Sequence, residues 1–524
     1  MLVKIYSAAT VGIDAALVTV EVHAVPGFDF TLVGLPDASV KESHERIIAA
    51  LTVNGVDTLR RAYTINMAPA DLKKEGSAFD LPLAVGMLAG AELVHSRALA
   101  HYMIMGELSL DGSLQPIRGA LPIALCARRE GFKGLILPEA NAAEAAVVDG
   151  LEVYGLRDLR EVVCFLNGEP KDELQPDVPF LPTKVDTQAI FDSLAFPSDL
   201  DFSDVRGQYK VRRAVEVAAA GGHNMLMIGP PGAGKSMVAK RIPSILPPLT
   251  LEEALETTKI HSIAGLTNKR NALNSALIVQ RPFRSPHHTI TDTALVGGGT
   301  NPHPGEISLA HNGVLFLDEL PEYKRSALEV MRQPLEDRHI TVARTKETVD
   351  YPASFMLVAA MNPCPCGHYG ENNPAHPCTC TPAQVHRYMS KISGPLLDRI
   401  DIQCEIEAVP YDQLKDTRPA EPSAAMRERV LRARAIQTER FKHSRLVHCN
   451  AMMNSKMVRQ YCALDDECDK LLETSMAKLG LSARAYDRIL KVARTIADLD
   501  AAATIQKKHL LEAISYRSLD RNNL

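Results

Sequence analysis

Gly229-Pro230-Pro231-Gly232-Ala233-Gly234-Lys235-Ser236 is the stretch of sequence that decides the fold. It matches G-x-x-x-x-G-K-S/T, and it lies between the apolar run 224–228 and a helical pattern that begins at residue 237. A glycine-rich turn between strand and helix points successive backbone N–H groups at one spot, and the helix dipole adds to that anion site. The stretch predicts a nucleotide site in which Lys235 reaches the β- and γ-phosphates and Ser236 holds Mg²⁺. A purely steric role for the glycines would leave Lys235 and Ser236 unexplained.

A second apolar run, residues 313–317, ends in Asp318 and Glu319. This is the pattern of a parallel strand buried on both faces, and ligands bind at the carboxyl ends of such strands. Asp318 is the candidate Mg²⁺ ligand, and Glu319 is the candidate base that polarises a water against the γ-phosphate. The Asp-Glu pair favours hydrolysis, whereas Asp alone would fit a switch or a kinase. A solvated acidic turn is the alternative.

Three polar residues further along complete the candidate site. The buried-strand run 355–361 ends in Asn362, whose amide is placed to bond the γ-phosphate or the attacking water, and Arg399 follows between apolar residues. Arg484 falls in the first turn of a helix that Ser482 caps, where a ligand phosphate would explain a cation. An apolar stripe marks that helix: Ile489, Leu490, Ala493, Ile496 and Ala497.

The order of these features along the chain resembles that of the AAA+ proteins, and the local sequences resemble those of the magnesium-chelatase-like branch. The likeness is carried by residues 281–288, 294–299, 304–308 and 317–321, and both outer thirds of the chain match too. The chain is identified as a member of the YifB/ComM family. The resemblance implies that Asn362 is sensor 1, that Arg399 is an arginine finger offered to the neighbouring subunit's ATP, and that Arg484 is sensor 2.

The resemblance also implies a function. Members of this family act as ring-forming, hexameric ATP-dependent DNA helicases that drive branch migration in natural transformation, with recombination proteins as partners and ATP and Mg²⁺ as cofactors. A finger that acts in trans leaves the monomer nearly inactive. The alternatives are a protein remodeller, a metal-insertion subunit like magnesium chelatase, and a nucleotide-dependent scaffold. The chain lacks an Asp-x-Ser-x-Ser motif, which counts against metal insertion.

The 524 residues are predicted to divide into an N-terminal α/β domain, a proline-rich linker, a P-loop AAA+ core and an α-helical lid, at residues 1–168, 169–203, 204–406 and 407–524. In the first domain, residues 18–25 and 28–33 are predicted to be paired strands. A helix is predicted over residues 37–53, with Asp37 or Ser39 as its cap.

Residues 105–119 and 135–141 resemble the proteolytic domain of Lon-type proteases, which has a ribosomal S5 domain 2-like fold. Those enzymes use a Ser–Lys dyad. This chain has Leu121 and Ile123 where the base lysine is expected, and the Gly-Pro-Ser frame is lost around Ser77. Since a serine without a base is a poor nucleophile, we expect the fold without protease activity and a role in assembly or substrate guidance.

Four cysteines, Cys364, Cys366, Cys378 and Cys380, form the pattern C-x-C-x11-C-x-C within residues 364–380. Four thiolates with turn-forming residues between them predict a tetrahedral Zn²⁺ site, with His368 and His376 as substitute ligands. Reduced, unliganded thiols are the alternative. Because the cluster begins two residues after Asn362, it is placed to sense or brace the γ-phosphate end of the site.

Three segments are candidates for contact with DNA. Residues 339–351 alternate apolar and polar, which predicts a β-hairpin with Arg344 and Lys346 near its tip; by resemblance this is a pore hairpin, and a solvated tip is the alternative. The glycine-rich stretch 295–299 is a second pore-loop candidate, and its lack of an aromatic favours nucleic acid over polypeptide. Residues 427–445 hold seven basic and two acidic residues, which fits a DNA-facing patch or a solvated lid helix. For the adjacent His287 and His288, a structural or loop role is expected.

Composition sets the remaining expectations. Hydrophobic residues make up 46% and charged residues 23%, an ordinary globular balance, and the net charge of −5 leaves any DNA contact to local charge. The longest apolar stretch, residues 81–93, is too short and broken to cross a bilayer. With no secretory signal pattern, the ten cysteines predict reduced thiols or metal ligands in a cytoplasmic protein with no membrane partner.

Overall fold

The computed structural model describes residues 2–56, 61–171, 179–194, 200–267, 276–299, 303–343, 348–370, 377–408, 420–444, 446–480 and 482–517. The chain forms two compact units. The first contains Met1–Ser193 and Leu251–Val279, and the second contains Leu194–Thr250 and Gln280–Leu524. Leu251–Val279 therefore packs with the first unit, although the sequence places it inside the ATPase core.

The first unit is built on a seven-stranded sheet in the order β3-β4-β2-β1-β5-β8-β9, with β6 and β7 as a separate small ladder. The strands are β1 (Leu2–Val11), β2 (Asp14–Pro26), β3 (Phe30–Val33), β4 (Arg61–Ala68), β5 (Tyr102–Ile104), β6 (Glu107–Leu108), β7 (Leu114–Gln115), β8 (Gly134–Pro138) and β9 (Glu152–Leu156). β1 and β2 form an antiparallel hairpin, while β5, β8 and β9 continue the sheet in parallel from β1.

The predicted pairing of β2 with β3 is wrong, because β4 lies between them. β4 runs antiparallel to β2 and parallel to β3. The reason is the helix between β3 and β4: a helical crossover returns the chain in the same direction, so the strands that it joins become parallel neighbours.

The helices of the first unit lie at Ala38–Val53, Asp80–Gly90, Ser96–Leu99, Ala120–Arg129, Glu139–Ala145, Leu159–Asn167, Thr187–Leu194 and Leu251–Ile263, with a 3₁₀ turn at Ser77–Phe79. Asp37 caps the first of them by accepting the Val40 amide at 2.8 Å, as one of the two predicted caps. The helix Thr187–Leu194 lies within the segment predicted as a linker. The Ser262 hydroxyl donates to the buried Glu144 carboxylate, which fixes Leu251–Ile263 against the helix Glu139–Ala145.

The second unit is built on a five-stranded parallel sheet in the order β11-β14-β17-β10-β18. Its strands are β10 (Met225–Ile228), β11 (Phe283–Arg284), β14 (Val314–Leu317), β17 (Met356–Met361) and β18 (Ile402–Glu405), with two antiparallel pairs beside it, β12 (Gly297–Gly298) with β13 (His303–Pro304) and β15 (His339–Ala343) with β16 (Thr348–Pro352). β10, β14 and β17 are buried throughout, as their uninterrupted apolar sequences predict. Because all five strands are parallel, their carboxyl ends meet at one edge.

The antiparallel pairing of β15 with β16 confirms the predicted hairpin. Its tip, with Arg344 and Lys346, lies outside the described residues.

Helices cover this sheet and form the C-terminal region. They lie at Tyr209–Gly221, Lys235–Arg241, Asp292–Val296, Glu306–Leu309, Arg325–Val330, Arg332–Asp337, Pro382–Met389, Gly394–Leu397, Ser423–Phe441, Ser455–Tyr461, Asp466–Leu479, Ala483–Leu499 and Lys507–Ser515, with 3₁₀ turns at Phe202–Asp204, Ile242–Ser244, Leu320–Glu322 and Asn450–Met452. Ser482 caps Ala483–Leu499, and the predicted apolar stripe of that helix is buried. Within the described ranges, no helix is both long enough and apolar enough to cross a membrane.

Candidate functional site

The predicted phosphate loop joins β10 to the helix Lys235–Arg241, as its sequence context predicts. At two positions of this loop there is a clear physical reason for glycine. A Cβ on Gly229 would collide with the carbonyl oxygen of Ile406, because the chain leaving β18 passes directly beside it. Gly234 has φ of +89° at the N-cap of the helix, in the left-handed region that favours glycine. The loop is therefore shaped by close backbone packing and by a left-handed turn.

Lys235 lies at the centre of the site with only 9% of its surface exposed. Its Nζ donates to the carbonyl oxygens of Gly229 at 2.6 Å and Pro230 at 2.8 Å, and to Asn362 Oδ1 at 3.0 Å. Burial lowers the pKa of Lys235 below its usual range, and the nearby charge of Asp318 opposes this. Asn362 reaches Lys235 because β17 pairs directly with β10, which brings the two strand ends together.

Ser236 and Asp318 meet at the other side of the loop. The Ser236 hydroxyl donates to Asp318 Oδ2 at 2.6 Å, and Asp318 Oδ1 accepts the backbone amide of Glu319 at 3.0 Å. A hydroxyl and a carboxylate are the hard oxygen donors that Mg²⁺ takes in nucleotide sites. The donor set therefore fits Mg²⁺, and the Mg²⁺ role of Ser236 and Asp318 stays a prediction.

Glu319 is held by a residue to which the sequence assigned only a loop role. The Nδ1 atom of His288 lies 3.1 Å from Glu319 Oε2, and the rings of His288 and His287 are in tilted contact with centroids 4.1 Å apart. The Tyr323 hydroxyl donates to the Pro286 carbonyl at 2.6 Å, which ties the loop before His288 to the turn after Glu319. The missed signal was topological: His288 follows β11, Glu319 follows β14, and these strands are parallel neighbours.

Of the two arginines predicted for the site, Arg399 is buried and Arg484 is exposed. Arg399 is only 5% exposed; its guanidinium donates to the Pro395 carbonyl at 2.5 Å and pairs with Glu336. An arginine finger at this position therefore requires the pair with Glu336 to open. Arg484 is exposed in the first turn of Ala483–Leu499, as expected. Both roles remain predictions.

A buried polar network joins that helix to the sheet. Asp401 Oδ2 lies 3.2 Å from His223 Nδ1, Arg488 pairs with Asp401 Oδ1, and His223 Nε2 lies 2.8 Å from the Thr495 hydroxyl. Burial would raise the pKa of Asp401, but the positive charge of Arg488 and the hydrogen bond to His223 hold it well below its usual range. Burial lowers the pKa of His223, which favours the neutral form of its ring. Arg488 also donates to the Arg399 carbonyl at 3.2 Å, which connects the helix Ala483–Leu499 to the predicted finger.

The four cysteines converge as predicted. The sulfur of Cys364 lies 3.3 Å from that of Cys366 and 3.8 Å from that of Cys378, and all four sulfurs lie within 4.8 Å of one another. The backbone amides of His368 and Thr379 hydrogen-bond to Cys366. In the part of the chain that the structure describes, these cysteines form the one such group of metal-ligand residues; His376 falls outside that part.

The other candidate segments are explained by their local structure. In the basic segment 427–445, Arg429 pairs with Glu216 and Glu421, and Arg440 pairs with Asp498. These two arginines pair with carboxylates within the fold, and the DNA-facing patch stays a prediction. In the first unit, Leu121 and Ile123, at the positions of the expected base, are buried in the core.

The match to known families covers nearly the whole chain. Residues 201–414 match the family described as magnesium chelatase, subunit ChlI; residues 20–141 match subunit ChlI of Mg-chelatase, and residues 420–517 match the C-terminal region of that subunit. The competence protein ComM of Haemophilus influenzae is 44% identical over 520 residues, which cover 99% of this chain and 97% of the relative. Protein YifB of Escherichia coli is 44% identical over 519 residues, with the same coverage. Lon protease 2 of Bacillus subtilis is 27% identical over 138 residues, which are 26% of this chain and 24% of the relative.

The site combines a phosphate loop with two strand ends of one parallel sheet: one strand ends in Asp-Glu, and the strand between it and the phosphate loop ends in Asn. This combination defines an ATPase of the AAA+ class, whose ligands are ATP and Mg²⁺. Within that class, this chain belongs to the YifB/ComM family of magnesium-chelatase-like proteins.

Proposed function

We propose that this protein is a ring-forming motor that uses ATP hydrolysis to move along DNA, and that it unwinds or migrates branches during DNA uptake and recombination. The observation that carries the hydrolytic part is the convergence of Lys235, Ser236, Asp318, Glu319 and Asn362 at the carboxyl edge of one sheet. The DNA part is supported by the full-length similarity to a relative named as a competence protein.

In the proposed reaction the chain positions the nucleotide and a water. The amides of residues 229–236 and the ammonium of Lys235 bind the phosphates, while Ser236 and Asp318 hold Mg²⁺, which when bound neutralises charge on the β- and γ-phosphate oxygens. The Lys235 ammonium, now satisfied by two carbonyls and Asn362, exchanges these partners for phosphate oxygens. Glu319 accepts a proton from the attacking water.

His288 orients the base in this proposal. A glutamate side chain that is 56% exposed would otherwise sample several rotamers, and the contact with His288 restricts it. Because His288 touches Glu319 and no reacting atom, it is a positioning residue.

The ring is proposed because AAA+ family members generally oligomerise and complete the site with an arginine from the neighbouring subunit. Arg399 and Arg484 are the residues that we propose to act as arginine finger and sensor 2, with Arg399 serving the neighbouring subunit's ATP. A homo-oligomer, most simply a hexamer, is then the active form. Opening of the Arg399–Glu336 pair is the step that makes the finger available.

The predicted pore hairpin is the proposed DNA contact, through Arg344 and Lys346, which the sequence predicts near its tip. The test is the ATPase rate at fixed low salt with no DNA and with single-stranded, double-stranded and branched DNA. Strong stimulation that is lost in Arg344→Ala and Lys346→Ala supports the proposal. A robust rate that is indifferent to every DNA contradicts it and favours the second candidate, a protein remodeller or a chelatase-like metal-insertion subunit.

We also propose that Cys364, Cys366, Cys378 and Cys380 hold a structural Zn²⁺. Zn–S bonds of about 2.3 Å in a tetrahedron place the sulfurs about 3.8 Å apart. The observed separations of 3.3, 3.5 and 3.8 Å among Cys364, Cys366 and Cys378 support this. Metal analysis of protein purified from zinc-replete cells should find one zinc per chain.

A further inference from the structure

The loop that carries the cysteines lies against the phosphate loop. Gly367, between Cys366 and the backbone donor His368, has φ of +90°. A Cβ built on Gly367 would lie 2.6 Å from Cδ and 2.8 Å from Cγ of Pro231. The backbone of the cysteine loop is therefore in direct contact with the Pro231 ring, in the middle of the stretch that binds phosphate.

The same loop is anchored to the site at both of its ends. At its start, Asn362 accepts a hydrogen bond from Lys235 Nζ through its side-chain oxygen and precedes Cys364 by two residues. At its end, Thr381 follows Cys380 directly and caps the helix Pro382–Met389. Tyr388 in that helix is buried and hydrogen-bonded to the Asn362 backbone. The loop thus contacts the nucleotide site at Pro231 and at Asn362.

Between these two anchors, the cysteines are the side chains that converge in the described part of the loop. Its described residues between β17 and Pro382–Met389 form turns and contain no helix or strand. Thiol groups make only weak hydrogen bonds, whereas a metal held by four thiolates fixes such a loop firmly. The position of Gly367 against Pro231 therefore depends on what the four sulfurs bind.

We propose that Zn²⁺ bound by the four cysteines props the phosphate loop through the Gly367–Pro231 contact, so that metal occupancy sets the affinity for nucleotide. The inference rests on the proposed zinc site and the proposed nucleotide site. It adds a function to the metal: the zinc does not merely stabilise the fold but keeps the phosphate loop in its binding shape.

A pair of glycines in the loop offers a matched test. Gly370 has φ of +82°, close to that of Gly367, but a Cβ built on it meets nothing within 4 Å. Gly367→Ala and Gly370→Ala therefore carry a similar backbone cost, and only Gly367→Ala pushes on Pro231. We expect Gly367→Ala to weaken binding of a fluorescent ATP analogue by about tenfold or more, and Gly370→Ala to change it less than about twofold, with equal zinc content and equal thermal stability.

A double-mutant cycle tests whether Gly367→Ala acts through the Pro231 ring. Pro231→Ala removes the Cγ and Cδ atoms that the new methyl group would strike. In that background Gly367→Ala should cost less affinity than in the wild type, because the colliding atoms are gone. Equal costs in both backgrounds would overturn the propping contact.

The role of the metal is tested by the double variant Cys378→Ser and Cys380→Ser. This variant should lose zinc, and its binding of the ATP analogue should weaken to a similar extent as in Gly367→Ala. Loss of zinc with unchanged analogue affinity in a folded variant overturns the inference while leaving both proposed sites intact. Wild-type protein that holds no zinc refutes the zinc site, and wild-type protein that does not bind the analogue refutes the nucleotide site. The three failures are therefore distinguishable.

Discussion

Asp401→Asn should destabilise the second unit by an amount that the structure allows us to work out. The Asp401 side chain is 4% exposed, and it accepts Arg488, the Asn224 amide at 3.3 Å and the contact from His223. The substitution keeps the shape but removes the charge, which leaves the Arg488 guanidinium, 22% exposed, without its counter-ion. Removing one partner of a buried pair costs about 3–5 kcal/mol. Since Arg488 keeps some contact with solvent, we expect about 3 kcal/mol.

The assay is urea denaturation at neutral pH followed by far-UV circular dichroism, because the chain has no Trp to report by fluorescence. The control is Glu428→Gln on the helix Ser423–Phe441. Glu428 pairs with Arg432 at 3.6 Å, and both side chains are about two-thirds exposed or more, so this loss should cost less than about 0.5 kcal/mol. An unfolding free energy for Asp401→Asn within about 1 kcal/mol of the wild type would refute the reasoning, because Arg488 could not then depend on this carboxylate.

Three further outcomes are expected. Glu319→Gln should retain the fluorescent ATP analogue but lower the hydrolysis rate by about 10² or more, measured as phosphate release, and a normal rate would remove Glu319 as the base. His288→Ala should lower kcat with little change in analogue affinity. His287 contacts the His288 ring, so His287→Ala should lower kcat less. Equal effects of the two substitutions on kcat would contradict the positioning role of His288. Because burial holds the pKa of His223 below the value of about 6.5 expected when unfolded, the unfolded chain binds more protons below that pH. The contribution of His223 to the unfolding free energy should be complete above about pH 6.5 and should fall by up to about 1.4 kcal/mol per pH unit below it. A His223→Asn variant should lack this pH dependence.

Local patterns predicted the parts of the site that lie close together in sequence. The strand ends at residues 228, 317 and 361 and the helix at Lys235–Arg241 follow from short apolar runs and from glycine spacing, which report directly on burial and backbone shape. The cap at Asp37 and the buried stripe of Ala483–Leu499 follow from the same local rules.

Contacts that depend on strand order were not predictable in this way. The insertion of β17 between β10 and β14 is what joins Asn362 to Lys235, and the pairing of β11 with β14 is what joins His288 to Glu319. The wrong pairing of β2 with β3, and the packing of Leu251–Val279 with the first unit, have the same origin. Hydrophobic period reports which face is buried but not which strand covers it.

The buried position of Arg399 gives the proposed ring a specific requirement. A guanidinium that is paired with Glu336 inside its own subunit cannot stabilise charge on a neighbouring ATP. Arg488 fixes the Arg399 backbone to the helix Ala483–Leu499 and also pairs with Asp401. Movement of the proposed lid on nucleotide binding is thus the structural change that we propose to release Arg399 as the finger.

Branch migration on a synthetic three-strand DNA junction, with ATP and Mg²⁺, tests the central proposal most directly. The wild-type protein should convert the junction to products in an ATP-dependent manner, and Glu319→Gln should bind the same junction and leave it unconverted. Failure of an oligomeric, ATP-hydrolysing wild-type protein to move any branched or partially single-stranded DNA would contradict the proposal.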